Sequence, residues 1–74
     1  MNAQRRKALA EAIDFIYKAH SILETVKDEE QEAYDNLPES IQYSDRGEQM
    51  SENVDNLDEI YESLLDFTTT LEEM

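Results

Sequence analysis

The chain contains one proline and one glycine, and both lie in the same short stretch near its middle, between Asp28 and Met50. Proline has no backbone N–H and clashes with the preceding helical turn, so a helix cannot run through Pro38 undisturbed. The residues on either side are good helix formers with no second proline. This placement predicts two long helices joined by a corner, a helical hairpin.

Capping residues set the predicted bounds of the two helices. Asn2 is a favourable N-cap, which places the first helix over about residues 3–35. Ser44 or Asp45 is the expected N-cap of the second helix, over about residues 45–72, and Asp45 with Glu48 has the spacing of a capping box. The corner then occupies residues 36–44.

The corner carries its own apolar side chains and a proline suited to begin a short helix. Proline is favoured as a first helical residue, so Pro38 to Gln42 is predicted to form one short helical turn. Leu37, Ile41 and Tyr43 are expected to fold back over the end of the hairpin.

Both arms carry apolar residues at alternating intervals of three and four, the spacing of helices that pack side by side. The series in the first arm is Leu9, Ala12, Ile16, Ala19, Leu23, Val26, Glu30, Ala33 and Leu37, and in the second Met50, Val54, Leu57, Tyr61, Leu64, Thr68 and Leu71. With the flanking apolar residues, each helix has an apolar arc of roughly 180°, more than one partner helix can cover.

The expected fold is therefore all-α: an antiparallel, coiled-coil-like hairpin that dimerises into a four-helix bundle. A single chain of 74 residues without cysteine has difficulty burying enough apolar surface, and self-association is the ordinary remedy. The residues predicted to form the core of the hairpin or its dimer are Leu9, Ile13, Ile16, Leu23, Val26, Val54, Leu57, Ile60, Tyr61, Leu64, Phe67 and Leu71.

Charge is unevenly distributed along the chain, whose formal net charge is −13. Residues 1–27 carry five basic and three acidic residues, a net of +2, whereas residues 28–74 carry sixteen acidic residues against Arg46 alone, a net of −15. This balance disfavours direct binding to nucleic acid or to an anionic membrane and favours a basic protein partner. No apolar run reaches membrane-spanning length and no signal peptide is recognisable, so a cytoplasmic location is expected.

The stretch DEEQEAYDNLPESIQYSDRGEQM, residues 28–50, is followed by VDNLDEIYESLL, residues 54–65. Together they resemble a group of small acidic helical proteins encoded by phages and prophages of Gram-positive bacteria. The resemblance is most specific at Asp35 to Pro38 and at Arg46 to Glu48. It implies a helical hairpin, a phage origin and action inside a bacterial host, and it brings no catalytic residues.

The acidic surface is the main indication of function. Carboxylates along a rigid rod can imitate the phosphates of DNA and so occupy a basic DNA-binding groove. We therefore expect a non-enzymatic protein that binds a host or phage protein, in its most specific form by inhibiting a host DNA-binding or defence enzyme. The expected partner-binding residues are Glu48, Glu52, Asp55, Asp58, Glu59, Glu62 and Asp66.

Two alternatives remain open at this point. In a structural or assembly protein of a phage, the apolar faces would bind other components and the acids would only keep the protein soluble. In a magnesium-dependent nucleotide pyrophosphohydrolase, paired acidic motifs would bind the metal, and Asp28-Glu29-x-x-Glu32 and Glu52-x-x-Asp55 resemble such motifs. The helical projection places these five carboxylates on outward faces, whereas a magnesium site needs them to converge. No cofactor and no catalytic residue is therefore expected.

Two polar residues of the apolar faces and one basic turn are expected to have partners in the hairpin or its dimer. His20 lies within the apolar arc, where a hydrogen-bonded interface histidine is expected rather than a metal ligand. Glu30 occupies a seam position and is expected to pair with Arg46 or Lys27, or to set the register of a dimer. The basic turn Arg5-Arg6-Lys7 is expected to pair with Glu72 and Glu73 at the end of the second helix.

Overall fold

The computed structural model describes all 74 residues, and most of them lie in two long antiparallel helices. Helix α1 is Ala3–Asp35, the short helix α2 is Glu39–Gln42, and helix α3 is Asp45–Glu73. The molecule is a rod with extents of 58 × 15 × 13 Å. The prediction of an all-helical hairpin is confirmed. None of the helices is both long and apolar enough to span a membrane.

Side-chain caps begin both long helices. The Asn2 side chain accepts a hydrogen bond from the backbone N–H of Arg5 at 2.8 Å, which satisfies one of the unpaired donors of the first turn of α1. Ser44 caps α3: its hydroxyl accepts from the N–H of Gly47 at 3.5 Å. Of the two N-caps considered for α3, Ser44 is the one used, and Asp45 is the first residue inside the helix.

The corner is built around Gly47, which is buried where α2 crosses the start of α3. A Cβ at this position would lie 2.5 Å from the carbonyl oxygen of Ile41 and closer still to that of Gln42. The glycine has a negative φ, so space is what requires it here. The Gln42 side chain ties the corner to α1 by donating to the carbonyl oxygen of Tyr34 at 3.1 Å.

The expectation that three apolar side chains cover the corner is only partly met. Leu37 is half-buried, Ile41 is 37% exposed and Tyr43 is 76% exposed. Tyr43 therefore does not fold back over the end of the hairpin. The α2 backbone, which approaches Gly47 closely, covers this end of the hairpin instead.

The face of α1 that packs against α3 is rotated from the predicted one. Most of its partly or fully buried residues follow the 3–4 spacing of a heptad, and they are Leu9, Ile13, Ile16, His20, Leu23, Lys27, Glu30 and Tyr34. Ala19, which the sequence series also placed in the seam, is partly buried beside them. Ala12, Val26 and Ala33, which the sequence series placed in the seam, are exposed. The apolar arc of α1 is wider than the strip that α3 covers, and α3 covers the edge of the arc that contains His20 and Lys27.

The face of α3 agrees with the series read from the sequence. Its seam residues are all at least half-buried, and they are Met50, Val54, Leu57, Tyr61, Leu64, Thr68 and Leu71. We number the heptads so that His20 in α1 and Tyr61 in α3 occupy position a. In an antiparallel pair, the two g positions then line one side of the seam and the two e positions line the other.

The hairpin has no fully buried apolar side chain. Only three residues are buried, and they are His20, Gly47 and Thr68. A folded domain normally gains most of its stability from apolar burial. The single hairpin therefore has a one-sided core, in which every seam leucine, isoleucine and valine still touches solvent.

The buried glycine gives a direct test of the corner. Gly47→Ala should lower the free energy of unfolding by about 1–2 kcal/mol, because the overlap with backbone carbonyls outweighs the gain of about 1 kcal/mol that alanine normally brings inside a helix. Ser63→Ala, at an exposed position of α3, is the control and should be neutral or slightly stabilising. Urea unfolding followed by circular dichroism measures both variants, and a stabilised Gly47→Ala would contradict the packing described here.

Candidate interaction surfaces

The seven carboxylates predicted to bind a partner all lie on exposed positions of α3. Six of them recur at heptad positions b and f, opposite the seam, and the seventh, Asp58, lies at position e. From Glu48 to Asp66 they extend over about 27 Å of helix. We call these seven residues the acidic stripe: Glu48, Glu52, Asp55, Asp58, Glu59, Glu62 and Asp66.

One cation pairs with the acidic stripe. Lys27 Nζ lies 3.3 Å from Asp58 Oδ1, and this is the one ion pair in the hairpin. The same ammonium lies 5.3 Å from the ring centroid of Tyr61. The expected pairing of the basic turn Arg5-Arg6-Lys7 with Glu72 and Glu73 is not formed, so the basic turn and most of the carboxylates are left to solvent or to another molecule.

Glu30 has a different partner from those predicted. Its Oε2 accepts a hydrogen bond from Asn53 Nδ2 at 2.9 Å, and Gln49 Nε2 donates to Asn53 Oδ1 at 3.0 Å. Arg46 and Lys27 make no ion pair with it. A neutral amide at position 53 thus satisfies the seam carboxylate, and this polar link holds the two helices in register near the corner.

The fold turns the charge gradient of the sequence into two unlike halves of the rod. The Lys27–Asp58 pair marks the division. The corner half, residues 28–58, carries eleven acidic residues and Arg46, a net charge of −10. The open half, residues 1–27 together with 59–74, has a net charge of −3. The negative potential is therefore strongest around the corner.

One side of the seam, lined by the two e positions, is closed by polar contacts between the helices. The Tyr17 hydroxyl donates to Glu72, and the Tyr61 hydroxyl donates to Glu24 at 3.2 Å. With the Lys27–Asp58 pair these contacts form what we call the polar flank. They fix which turn of α1 faces which turn of α3, because each pair reaches across the seam at a different level.

The polar flank raises the pKa of three groups. The hydrogen bond to Glu72 raises the pKa of Tyr17, and that to Asp58 raises the pKa of Lys27. Burial raises the pKa of Tyr61, with the negative charge of Glu24 acting in the same direction. All three groups therefore hold their protons more tightly in the hairpin than in the unfolded chain.

The opposite side of the seam is apolar and uncovered. The g positions of both helices and the neighbouring c positions of α1 present large side chains to solvent there. Their exposed fractions are Phe15 65%, Ile22 56%, Val26 44%, Ile60 52%, Phe67 66% and Met74 58%, and we call these six residues the apolar flank. All six lie in the open half of the rod.

A groove runs along the α3 part of the apolar flank. It encloses about 310 Å³ between Ile60, Leu64 and Phe67, with Glu59 and Ser63 at its edge. A second groove of about 150 Å³ lies at the open end and includes Leu9, Ile13 and Leu71. Contiguous apolar surface of this kind is uncommon on a soluble monomer and usually marks an interaction site.

Nine of the twelve residues assigned to the core from sequence are partly buried between α1 and α3. The other three, Val26, Ile60 and Phe67, lie on the apolar flank, outside the hairpin seam. Phe15, Ile22 and Met74 were not assigned to a site, although the seven-residue intervals from Phe15 to Ile22 and from Phe67 to Met74 match the heptad.

His20 is 5% exposed and packs between aromatic rings. Its ring centroid is 6.0 Å from that of Tyr17, in an edge-on arrangement, and 5.0 Å from that of Tyr61. Its Nε2 has no hydrogen-bond partner, so the prediction of a hydrogen-bonded histidine is not met at this atom. The aromatic contacts account for its position in the seam.

The residues considered for a magnesium site are not brought together. Asp28, Glu29, Glu32, Glu52 and Asp55 are all exposed on their helices. No three histidine or carboxylate side chains of the hairpin are grouped so that they could hold a metal ion. Comparison with known proteins adds no further assignment, because no family model, no curated protein and no solved structure matches the chain.

The raised pKa values predict that the hairpin loses stability at alkaline pH. Tyr17, Lys27 and Tyr61 contribute fully below their unfolded pKa values, about 10 for tyrosine and 10.4 for lysine, and lose that contribution as the pH rises through the higher folded values. The thermal midpoint should therefore fall above about pH 10. Tyr17→Phe has no hydroxyl to titrate at this position and should show a shallower fall.

The matched control is Tyr43→Phe, which removes a hydroxyl at the exposed corner, away from the polar flank. Thermal unfolding followed by circular dichroism across the alkaline range compares the two variants with the unmodified chain. A fall as steep in Tyr17→Phe as in Tyr43→Phe would show that the contact with Glu72 does not link Tyr17 to folding.

Proposed function

We propose that this chain is a non-enzymatic acidic protein that binds the basic surface of another protein, as a dimer of hairpins arranged in a four-helix bundle. The acidic stripe is the observation that supports it most directly. Its seven carboxylates are exposed on one rigid helix, and Asp58 alone among them has a cationic partner. A rod that presents charge in this way favours a partner with a matching basic groove.

The most specific form of the proposal is imitation of DNA. Duplex DNA carries one phosphate charge for about 1.7 Å of helix axis. The rod carries 19 carboxylates over 58 Å, or one for about 3 Å, and a dimer doubles the number. A groove that neutralises phosphates gains much of its affinity for DNA from the release of counterions. The acidic stripe offers such a groove negative charges of the same kind, without base edges to be recognised.

The target class follows from the proposed phage origin. A phage protein that acts inside a bacterial cell meets host enzymes that bind DNA, including those that defend the cell against foreign DNA. We propose inhibition of such an enzyme, with the acidic stripe in its DNA-binding groove. A structural protein of the phage particle is the second candidate, and the exposed apolar flank is the observation that favours it.

Neutralising the acidic stripe should separate these two functions. In the test variant Asp55, Asp58, Glu59 and Glu62 become Asn or Gln. Affinity capture from a Gram-positive bacterial lysate with the unmodified chain should retain basic DNA-binding proteins that are released by duplex DNA or by salt. The neutralised variant should retain none of them, because the carboxylates that replace phosphate are gone.

The matched control removes the same number of exposed carboxylates elsewhere, at Glu11, Asp14, Glu32 and Glu39, and should keep most of the binding. Circular dichroism checks that both variants fold. The neutralised variant loses the Lys27–Asp58 pair, but the Asp58 side chain is 59% exposed and such a pair contributes little to stability. If neutralising the stripe leaves the captured proteins unchanged while Phe67→Ser loses them, the assembly function is the correct one.

A further inference from the structure

We propose that the apolar flank is the docking site for a second copy of this chain, which lies antiparallel to the first. In this arrangement the two open halves overlap and the two acidic corners point to opposite ends of the dimer. The inference rests on the proposed dimer and adds which face is used and in which direction the copies run.

A second copy fits the apolar flank because the hairpin core is incomplete without one. No apolar side chain is fully buried in the single hairpin, and the six residues of the apolar flank expose on the order of 500 Å² of apolar surface per copy. Stable interfaces use about 800 Å² per partner. The apolar flank with its rim approaches that size, and two copies related by a two-fold axis would cover both flanks at once.

The position of the apolar flank along the rod restricts how the two copies overlap. Its residues occupy positions 15–26 of α1 and 60–74 of α3, all in the open half. The corner half offers no comparable apolar surface on this side, since Glu29, Gln49 and Asn53 occupy the corresponding c and g positions. Overlap of the flanks therefore joins open half to open half.

Charge then selects the antiparallel direction. In a parallel dimer the two corner halves, each with a net charge of −10, would lie side by side within about the width of one rod. The Debye length is about 8 Å at physiological ionic strength, so much of that repulsion would persist. In the antiparallel dimer each acidic corner extends past the open end of the other copy, away from its counterpart.

The basic turn Arg5-Arg6-Lys7 supplies charge complementarity in the same arrangement. None of its three side chains forms an ion pair within the hairpin, and Arg5 is at a g position, on the side of the apolar flank. With the two-fold axis near Ala19, the antiparallel copy places Arg5 about 21 Å beyond the axis, alongside the acidic corner half of the second copy. Ala33 of the second copy lies at that level, and Glu29 lies about one helical turn from it on the facing side, within reach of the long arginine side chain. A parallel dimer would instead place both basic turns at the same end, away from the acidic corner halves.

The two directions differ greatly in the distance between the corners. The corner lies about 33 Å along the rod from Ala19, so two corners are separated by about 60–70 Å in the antiparallel dimer. In the parallel dimer they are separated by roughly 30 Å or less. The antiparallel dimer consequently carries two identical acidic ends, each able to bind one partner molecule.

Pulsed electron–electron resonance between spin labels measures this distance directly. The chain has no cysteine, and Tyr43 is 76% exposed at the corner, so Tyr43→Cys provides one labelling site per copy without disturbing the seam. We expect a single distance of about 60–70 Å. A label at Gln4→Cys, near the open end, should give a shorter distance of about 45 Å.

Each other outcome overturns the inference in a recognisable way. A corner distance below about 30 Å would mean parallel docking, in which case the dimer and its acidic function would stand and the direction proposed here would not. The absence of any intermolecular distance at high protein concentration would mean no dimer, which overturns this inference and the bundle together.

Charge reversal provides an independent test of direction. Arg5→Glu should weaken the dimer, and Glu29→Lys in the same chain should restore it, because the dimer then regains its two pairs of opposite charge between positions 5 and 29. Lys7→Glu at a b position, away from the apolar flank, is the control. Equal weakening by Arg5→Glu and Lys7→Glu, with no rescue by Glu29→Lys, would contradict the proposed contact.

Discussion

The width of the apolar arc on each helix is the constraint on which the rest of the structure depends. An arc of roughly half the circumference cannot be covered by one neighbouring helix. The hairpin therefore covers one edge of each arc and leaves the other edge in solvent, as the apolar flank. Its buried side chains are polar, His20 and Thr68, and its large apolar side chains remain accessible. Half of a four-helix bundle would be expected to have these properties.

Polar contacts determine the register of the two helices, because apolar contacts alone would allow one helix to shift along the other. Along the polar flank, Tyr17 donates a hydrogen bond to Glu72, and Lys27 forms an ion pair with Asp58. Near the corner, Asn53 donates a hydrogen bond to Glu30. Gly47 lets the corner close tightly enough for these pairs to align. The hairpin places the carboxylates of residues 28–58 around the corner, and this register aligns the α1 and α3 parts of the apolar flank toward the open end. Charge and apolar surface are thus separated along the same rod, and this separation is what our proposals of self-association at one region and binding of a basic partner at another rest on.

The sequence was sufficient to predict the hairpin, because Pro38 stops one helix, the heptad spacing identifies both, and Asn2 has a side chain suited to capping. It also predicted which face of α3 packs, since that seam is mostly apolar. The packed face of α1 could not be predicted in the same way. Its apolar residues extend around the helix from position a (Ile13) through position d (Leu23) to position c (Ile22), and no single strip of this arc is more apolar than the rest. Polar partners distant in sequence decide which part of this arc packs against α3. Glu24 accepts a hydrogen bond from Tyr61, and Asp58 accepts one from Lys27. The acidic residues were placed on an exposed face from spacing alone. Their concentration around the corner follows from the hairpin topology, because residues 28–58 are contiguous and carry a net charge of −10.

Thermal unfolding measured as a function of protein concentration tests most directly whether the hairpin needs a second copy. If the apolar flank completes its core in a dimer, the melting temperature should rise steadily as the concentration is raised, because association stabilises the folded state by mass action. Sedimentation equilibrium on the same samples should give twice the 8.6 kDa mass of the chain. A cooperative melt that is independent of concentration, from a species of single-chain mass, would contradict the central claim.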